Sequence, residues 1–343
     1  MSKTPSKLQY SGEYVTVSVD DAVARIMRIF RHAGCDHTIA RQVATHLADT
    51  NLCGVESHGI MRTIQYVEQF STGYMRADVA PQFNELEGGI YEVNGNGGIG
   101  IPAMQLAADH GCRLARENGM SVLAVRNVGH TGRLGAFAES AAKEGCLCII
   151  IGGGNRQNWR QVAPYGGARA VLPTNPYCIG IPGGDQGPIV LDFATSKIAG
   201  GWVYAARSAG AKLPKDVMID SGGNMSQDPE DYFAGGAILP AGGAKGYALA
   251  LIAELIGEAM LGPVATEMNW LMITLDATRY REPSRMQTVA EEILAELRAC
   301  PPAPGFDRVQ IPGEREREQR AASAGQIILP DATWNQICDL DMD

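Results

Sequence analysis

Ser57, His58, Arg62 and Tyr66 are the first residues whose types and spacing could do chemistry. A helix beginning near Ser57 would put His58, Arg62 and Tyr66 at i, i+4 and i+8, on one stripe. A histidine moves a proton near neutral pH. An arginine grips a carboxylate with two bonds. With a phenol beside them, these groups could bind and protonate a small carboxylate-bearing molecule. The same spacing also fits a solvated stripe of ordinary ion pairs, and spacing alone favours that plainer reading.

Other candidates lie far away in the chain. His130 stands in NVGHTGRLGAFAE, where a strand before it and a helix after it place His130 to Leu134 at a strand-to-helix turn. Backbone N–H groups at a helix start attract phosphate or carboxylate. Gly129, Gly132 and Gly135 give GxxGxxG there, not the GxGxxG of a dinucleotide-binding turn. Gly95 to Gly100 does offer GxGxxG, but its strand carries Tyr91 and Glu92, and the downstream acid, Glu117, falls in a helix; the context argues against that assignment. Asp192 ends the apolar run PIVLDFATS, where it either presents an orienting carboxylate or caps a helix. Thr174 and Asn175 precede Pro176, which sets an extended or turn conformation. Lys245 stands in the glycine-rich start of a helix, where it either meets an anion or is simply solvated.

The elements that must position these groups follow from periodicity. Ser18 caps a helix with Asp20 and Asp21 in its first turn, and a second helix runs from Asp36 to Asn51. Residues 60–70 read as a helix closed by Gly73, and Pro102 to Glu117 as another. SVLAVRNV, CLCIIIG, PIVLDFA and MNWLMITLDA are strand candidates. KGYALALIAELIGEAML reads as a helix buried on most sides. A helical part at 1–78, carrying the Ser-His pair and packed with 310–343, is expected against a sheet part at 79–309.

Composition limits the partners. A chain of 343 residues allows two or three lobes. A net charge of −9 argues against a nucleic-acid partner, yet local Arg and Lys can still receive a small anion. The six histidines show neither HxH nor HExxH, and the eight cysteines contain no CxxC, so no metal site is expected and the thiols read as free and buried. GxSxG and the P-loop are absent. No signal-like run opens the sequence and no stretch approaches a membrane span; a soluble cytoplasmic protein is expected, with no membrane partner.

Six motifs occur in order: NLCGVESHGIMRTIQYV, NVGHTGRLGAFAESAAKEG, APYGG…LPTNPYCIGIP, PIVLDFATS, ILPAGGAKGYALALIAELI and IPGERE. Together, from about residue 18 to the C-terminus, they resemble the malate/L-lactate dehydrogenase superfamily of the non-Rossmann type. The resemblance implies an α/β fold with a mostly antiparallel central sheet flanked by helices, a nicotinamide cofactor (NAD or NADP, NAD favoured) and a homodimer. It implies interconversion of a 2-oxo acid and its 2-hydroxy acid, of the malate, lactate, sulfolactate or ureidoglycolate kind; reduction of a cyclic imine 2-carboxylate is the alternative. It assigns catalysis to Ser57, His58 and Asp192, with Asp192 orienting His58. Substrate binding falls to Arg62, Tyr66, His130 and Thr174. Cofactor contact falls to His130, Thr131, Gly132, Arg133, Leu134, Asn175, Pro176, Lys245, Pro312, Gly313, Glu314 and Arg315. The chain departs from the family pattern at Pro173, where a glycine is usual, and in the loop 152–161.

Overall fold

The computed structural model describes residues 12–208 and 210–341. The N-terminal part comprises strand β1 (Tyr14–Ser18) and helices α1 (Val19–His32), α2 (His37–Leu52) and α3 (Arg62–Ser71), with a 3-10 turn at Glu56–His58 before α3. Ser18 Oγ accepts Asp21 N at 3.1 Å and so caps α1, and Asp36 caps α2 through Thr38 N at 2.7 Å, in keeping with the cap chemistry of both residues. Ala22, Ile26, Ile29 and Phe30 form the buried face of α1.

A mixed sheet occupies the centre. In chain order its strands and the intervening helices are β2 (Gln82–Leu86), β3 (Ile90–Asn94), α4 (Gly100–Asn118), β4 (Met120–Arg126), α5 (Gly135–Lys143), β5 (Cys146–Gly153), β6 (Pro176–Ile181) and β7 (Ile189–Ala194). Then α6 (Gly200–Ser208), short strands β8 (Met218–Ile219) and β9 (Met225–Ser226), α7 (Pro229–Phe233), β10 (Ala237–Ile238) and α8 (Ala244–Glu254) build a small lobe. A π-helical turn at Leu255–Met260 leads to β11 (Asn269–Asp276), which returns to the sheet, and α9 (Pro283–Ala299) follows. The chain ends in α10 (Glu314–Ser323), β12 (Gln326–Pro330) and α11 (Asp331–Asp339). The sheet order is β2-β3-β4-β11-β5-β6-β7. β3 and β4 are parallel, joined by α4, while the other neighbours pair antiparallel.

Small residues let α4 and α5 lie close on the sheet. A Cβ at Gly111 of α4 would stand 2.8 Å from Thr274 Oγ1, and one on Gly180 of β6 would stand 2.3 Å from Ala138 O of α5. β1 pairs with β12 over Tyr14↔Pro330 to Ser18↔Gln326, tying the C-terminal segment to the first helices. One apolar core runs across residue 78, from Phe30 and Leu47 through Met104, Leu123 and Phe137 to Met272 and Ile327. A second core, with Val162, Val203, Met218 and Ile238, holds the small lobe together.

One expectation fails. The run at 245–261 is not buried on most sides: its small residues Gly246, Ala250 and Ala253 face inward with Glu254, while Leu249, Ile252, Leu255 and Met260 are exposed. Hydropathy marked the segment as apolar but could not say which face packs. Cys35, Cys53, Cys112, Cys146, Cys148 and Cys178 are free and buried, whereas Cys300 is exposed and Cys338 half-buried. Among the described residues no helix is long and apolar enough to cross a membrane.

Candidate active site

The stripe expected from Ser57 to Tyr66 is not one helix. His58 ends the 3-10 turn, and α3 begins only at Arg62. Gly59 is the cause: it takes an extended ψ of −154°, and a Cβ there would sit 1.9 Å from Asn51 Oδ1. Asn51 in turn accepts Ile60 N at 2.7 Å, so an α2 side chain clamps the start of the next segment. The break still brings the expected groups together. Ser57 Oγ lies 3.0 Å from His58 Nδ1. Arg62 Nε donates to Ser57 O at 2.7 Å, and its Nη1 donates to Gln65 Oε1.

His130 joins this cluster from the β4–α5 turn. Its ring centroid is 5.3 Å from that of His58. Its Nδ1 accepts Gly132 N at 3.2 Å and lies 2.6 Å from the Tyr66 hydroxyl. An Nδ1 that accepts a backbone N–H carries no proton, so Tyr66 donates its hydroxyl hydrogen and the His130 proton sits on Nε2. Tyr66 is fully buried. Gly100 N donates to His130 O at 3.0 Å.

That last bond explains the Gly95–Gly100 run. The amides of Gly95, Gly97, Gly98 and Gly100 donate to the carbonyls of Arg126, Asn127, Gly95 and His130. The turn follows a strand and opens a helix inside a βαβ unit, as a dinucleotide turn does, but these amides are spent on the chain itself. Its glycines permit close approach: a Cβ at Gly100 would lie 2.4 Å from Gly129 O. The run buttresses the His130 turn.

The electrostatics are those of a desolvated cluster. His58, His130 and Arg62 lie far inside the molecule yet keep partial contact with solvent. Burial, then the Arg62 and His46 charges, lowers His58 to about 3. Burial, Arg62, His58 and His46 hold His130 well below its ordinary value. Both imidazoles are therefore neutral near pH 7. Burial lowers Arg62 and raises Tyr66, which keeps the phenol protonated.

Asp192 departs from its expected place. Its Oδ2 accepts Gly135 N at 2.7 Å, at the start of α5, and no hydrogen bond joins it to His58 among the described residues. An unpaired N–H at a helix start draws a carboxylate more directly than a neutral imidazole does. Burial pushes its carboxyl up, opposed by Gly135 N–H and the Arg133 charge, although the residue as a whole stays open to solvent. The loop before it is internally bonded: Arg133 N donates to His46 Nε2 at 3.1 Å, and a Cβ at Gly132 (φ +69°) would lie 2.4 Å from that nitrogen. Burial lowers His46 to about 4, so it too is neutral.

The other expected residues are scattered. Thr131 and Leu134 are buried in the loop. Arg133 is 5 % exposed and pairs with Asp49 at 3.5 Å, and Glu314 is 5 % exposed and bonds Arg298 and Ile311 N; both side chains are engaged within the fold. Pro312 O accepts Val190 N at 3.2 Å beside Gly313, next to the Asp192 strand, while Arg315 is exposed and paired with Glu316. Thr174 O accepts the N–H and hydroxyl of Thr195. Lys245 is exposed. Asn175, at φ 38°, is fully buried and donates to Glu254 Oε2 at 2.8 Å, and Pro176 opens β6. Glu254 also receives Gly154 N and Arg156 N. It thereby anchors the loop 152–161.

Sequence reading missed Asn51, His46, Glu254 and Glu267. Each acts through a partner distant in the chain, and none stands in a spacing that would mark it.

The malate/L-lactate dehydrogenase family model matches residues 17–338. A delta(1)-pyrroline-2-carboxylate/delta(1)-piperideine-2-carboxylate reductase of Pseudomonas putida is 30 % identical over 320 residues, covering 89 % of this chain and 91 % of that protein. A ureidoglycolate dehydrogenase (NAD(+)) of Escherichia coli O157:H7 is 29 % identical over 329 residues, covering 88 % of this chain and 92 % of that one. A malate dehydrogenase structure from Entamoeba histolytica superposes with a TM-score of 0.88 at 24 % identity, covering 96 % of this chain and 98 % of that one, a likeness of fold. With a match that spans nearly its whole length, the chain belongs to the malate/L-lactate dehydrogenase family.

Proposed function

We propose that this protein is a nicotinamide-dependent oxidoreductase that interconverts a small 2-oxo acid and its 2-hydroxy acid, with His58 as proton carrier. The observation that carries the reading is the cluster that Ser57, His58, Arg62, Tyr66 and His130 form. Arg62 receives the substrate carboxylate. Its Nε and Nη1 are held by Ser57 O and Gln65, which fixes the guanidinium plane, while Nη2 makes none of the hydrogen bonds found among the described residues. His130, fixed as the Nε2–H form, donates to the oxygen at C2. His58 takes the hydroxyl proton in oxidation and returns it in reduction. Ser57 sets the orientation of its ring. Burial is the larger reason that His58 stays unprotonated and the Arg62 charge the next; a carboxylate on Arg62 offsets the second and so favours the acid form when substrate binds.

The nicotinamide, as NAD or NADP, supplies or accepts the hydride. The chain fits such a group at Asn175, whose Oδ1 is buried without a partner and matches the N–H of a carboxamide; the backbone of Thr131 to Leu134, with Pro176, Pro312 and Gly313, would hold the rest of it. Asp192 acts as a positioning residue, holding α5 and the loop before it. The cofactor lies away from the Gly95–Gly100 turn, whose glycine amides are spent. The exposed apolar face of Leu249, Ile252, Leu255 and Met260 suits a homodimer contact.

A second reading, reduction of a cyclic imine 2-carboxylate, has the support of the Pseudomonas putida relative and uses the same groups on C=N. Absorbance at 340 nm with NADH and NADPH, across 2-oxo acids, 2-hydroxy acids and cyclic imine carboxylates, separates the two. Arg62→Lys is expected chiefly to raise KM, because the planar fork is lost. A collapsed turnover with unchanged KM refutes the role given to Arg62.

A further inference from the structure

Gln69 lies seven residues beyond Arg62 and three beyond Tyr66, so α3 presents all three on one face. That face meets the segment before β11, where Glu267 is tied down. Glu267 N donates to Val128 O at 3.3 Å, and Thr266 Oγ1 donates to the same carbonyl. Asn155 Nδ2 donates to the carbonyls of Thr266 and Glu267 at 2.7 and 2.6 Å, and the Tyr74 hydroxyl donates to Thr266 O at 3.0 Å. These bonds fix Glu267 to the turn that carries His130. Gln69 and the Arg62 charge both act on its carboxyl, yet the two charges make no ion pair among the described residues. Glu267 Oε1 is buried without a hydrogen-bond partner, and so is Gln69 Oε1. A cation, Arg62, and an acceptor-rich acidic group thus lie within electrostatic reach of each other.

We propose that Glu267 selects the substrate: it admits acids that carry a hydrogen-bond donor or positive charge beyond C2, and rejects those with a second carboxylate or sulfonate there. This rests on the oxidoreductase reading above. A site built to accept a hydrogen bond penalises a ligand that leaves it unmet, and a second anion would face a like charge. Arg62, Tyr66 and Gln69 of α3 and Tyr74 act on the group, and Asn155 of the loop 152–161 holds its backbone carbonyl. Of these only Arg62 is charged near pH 7. Burial raises the Glu267 carboxyl to about 7 against Arg62 and Gln69, so the selection strengthens as pH rises through that value.

The test compares an isosteric pair, malate and its C4 monoamide, by kcat/KM with the preferred cofactor at pH 6 and pH 8, in the wild type and in Glu267→Gln. The amide is expected to be favoured roughly tenfold or more at pH 8, less at pH 6, with most of the difference in KM. Glu267→Gln is expected to bring the ratio within about threefold and abolish its pH dependence. Should that variant fail to fold, the wild-type ratio at the two pH values still decides. A wild-type preference for malate, or a preference unchanged in Glu267→Gln, refutes the proposal while leaving the oxidoreductase reading intact. Failure of the wild type to oxidise or reduce any hydroxy acid, oxo acid or cyclic imine overturns both.

Discussion

Acid should unfold this protein from its active site outward. His46, His58 and His130 are neutral in the folded protein, held at about 4, at about 3, and well below the ordinary 6.5 respectively, in each case chiefly by burial. A histidine whose folded value is depressed contributes stability that is complete above 6.5 and is lost as pH falls, because the unfolded chain takes up a proton that the folded chain refuses. Between pH 7.5 and pH 5, His46 and His58 each cost about 2 kcal/mol, and His130 adds in the same direction. Glu267 opposes them. Its folded carboxyl is raised to about 7 from an ordinary 4.5, so the folded state binds the extra proton, and over the same range it returns about 2 kcal/mol. Partial solvent contact of His58 and His130 weakens their share, leaving a net loss of roughly 2–4 kcal/mol. That is a large part of the 5–15 kcal/mol typical of a folded domain. Urea unfolding at pH 7.5 and 5.0 measures it directly. His46→Gln should flatten the pH dependence by about one proton, and Glu267→Gln should steepen it. Equal or greater stability at pH 5 would refute the reasoning, since it would mean that the histidines are charged in the folded state.

Two further outcomes bear on the geometry. Gly59→Ala drives a methyl into Asn51 Oδ1 and frees Ile60 N–H. It should cost about 2–3 kcal/mol, and Asn51→Ala should make the added loss smaller; strictly additive effects would show that the contact does not form. Tyr66→Phe removes one donor to His130 Nδ1 but leaves Gly132 N–H. It should cost about 1 kcal/mol of stability and lower turnover roughly tenfold. A loss of turnover matching that of His58→Ala would give Tyr66 a chemical role of its own.

Much of the site was legible because local sequence carries local geometry. Ser18 and Asp36 announce helix starts, and the strand-turn-helix around His130 follows from valines before it and alanines after it. The break between His58 and Arg62 was not legible, because it depends on Gly59 meeting Asn51 across a turn. Asp192 was expected at a strand end but lies inside β7, opposite Cys178, and its partner, Gly135, is 57 residues away and reaches it only through the pairing of β5, β6 and β7. Arg133 and Glu314 were expected near the cofactor on resemblance alone; the burial of their side chains is a matter of packing between α2, α9 and α10. The apolar run at 245–261 misled for the complementary reason. Composition sets how much surface a helix must hide, and only tertiary packing sets which side.

The central claim is that His58 carries the proton. Single-turnover oxidation of the reduced nicotinamide at 340 nm, with saturating 2-oxo acid, tests it most directly when the wild type is set beside His58→Ala. The account predicts a fall of at least ~10²-fold in the rate of that step, the usual contribution of a general acid, with substrate affinity little changed because Arg62 still holds the carboxylate. A His58→Ala protein that transfers hydride within a few-fold of the wild-type rate would contradict it.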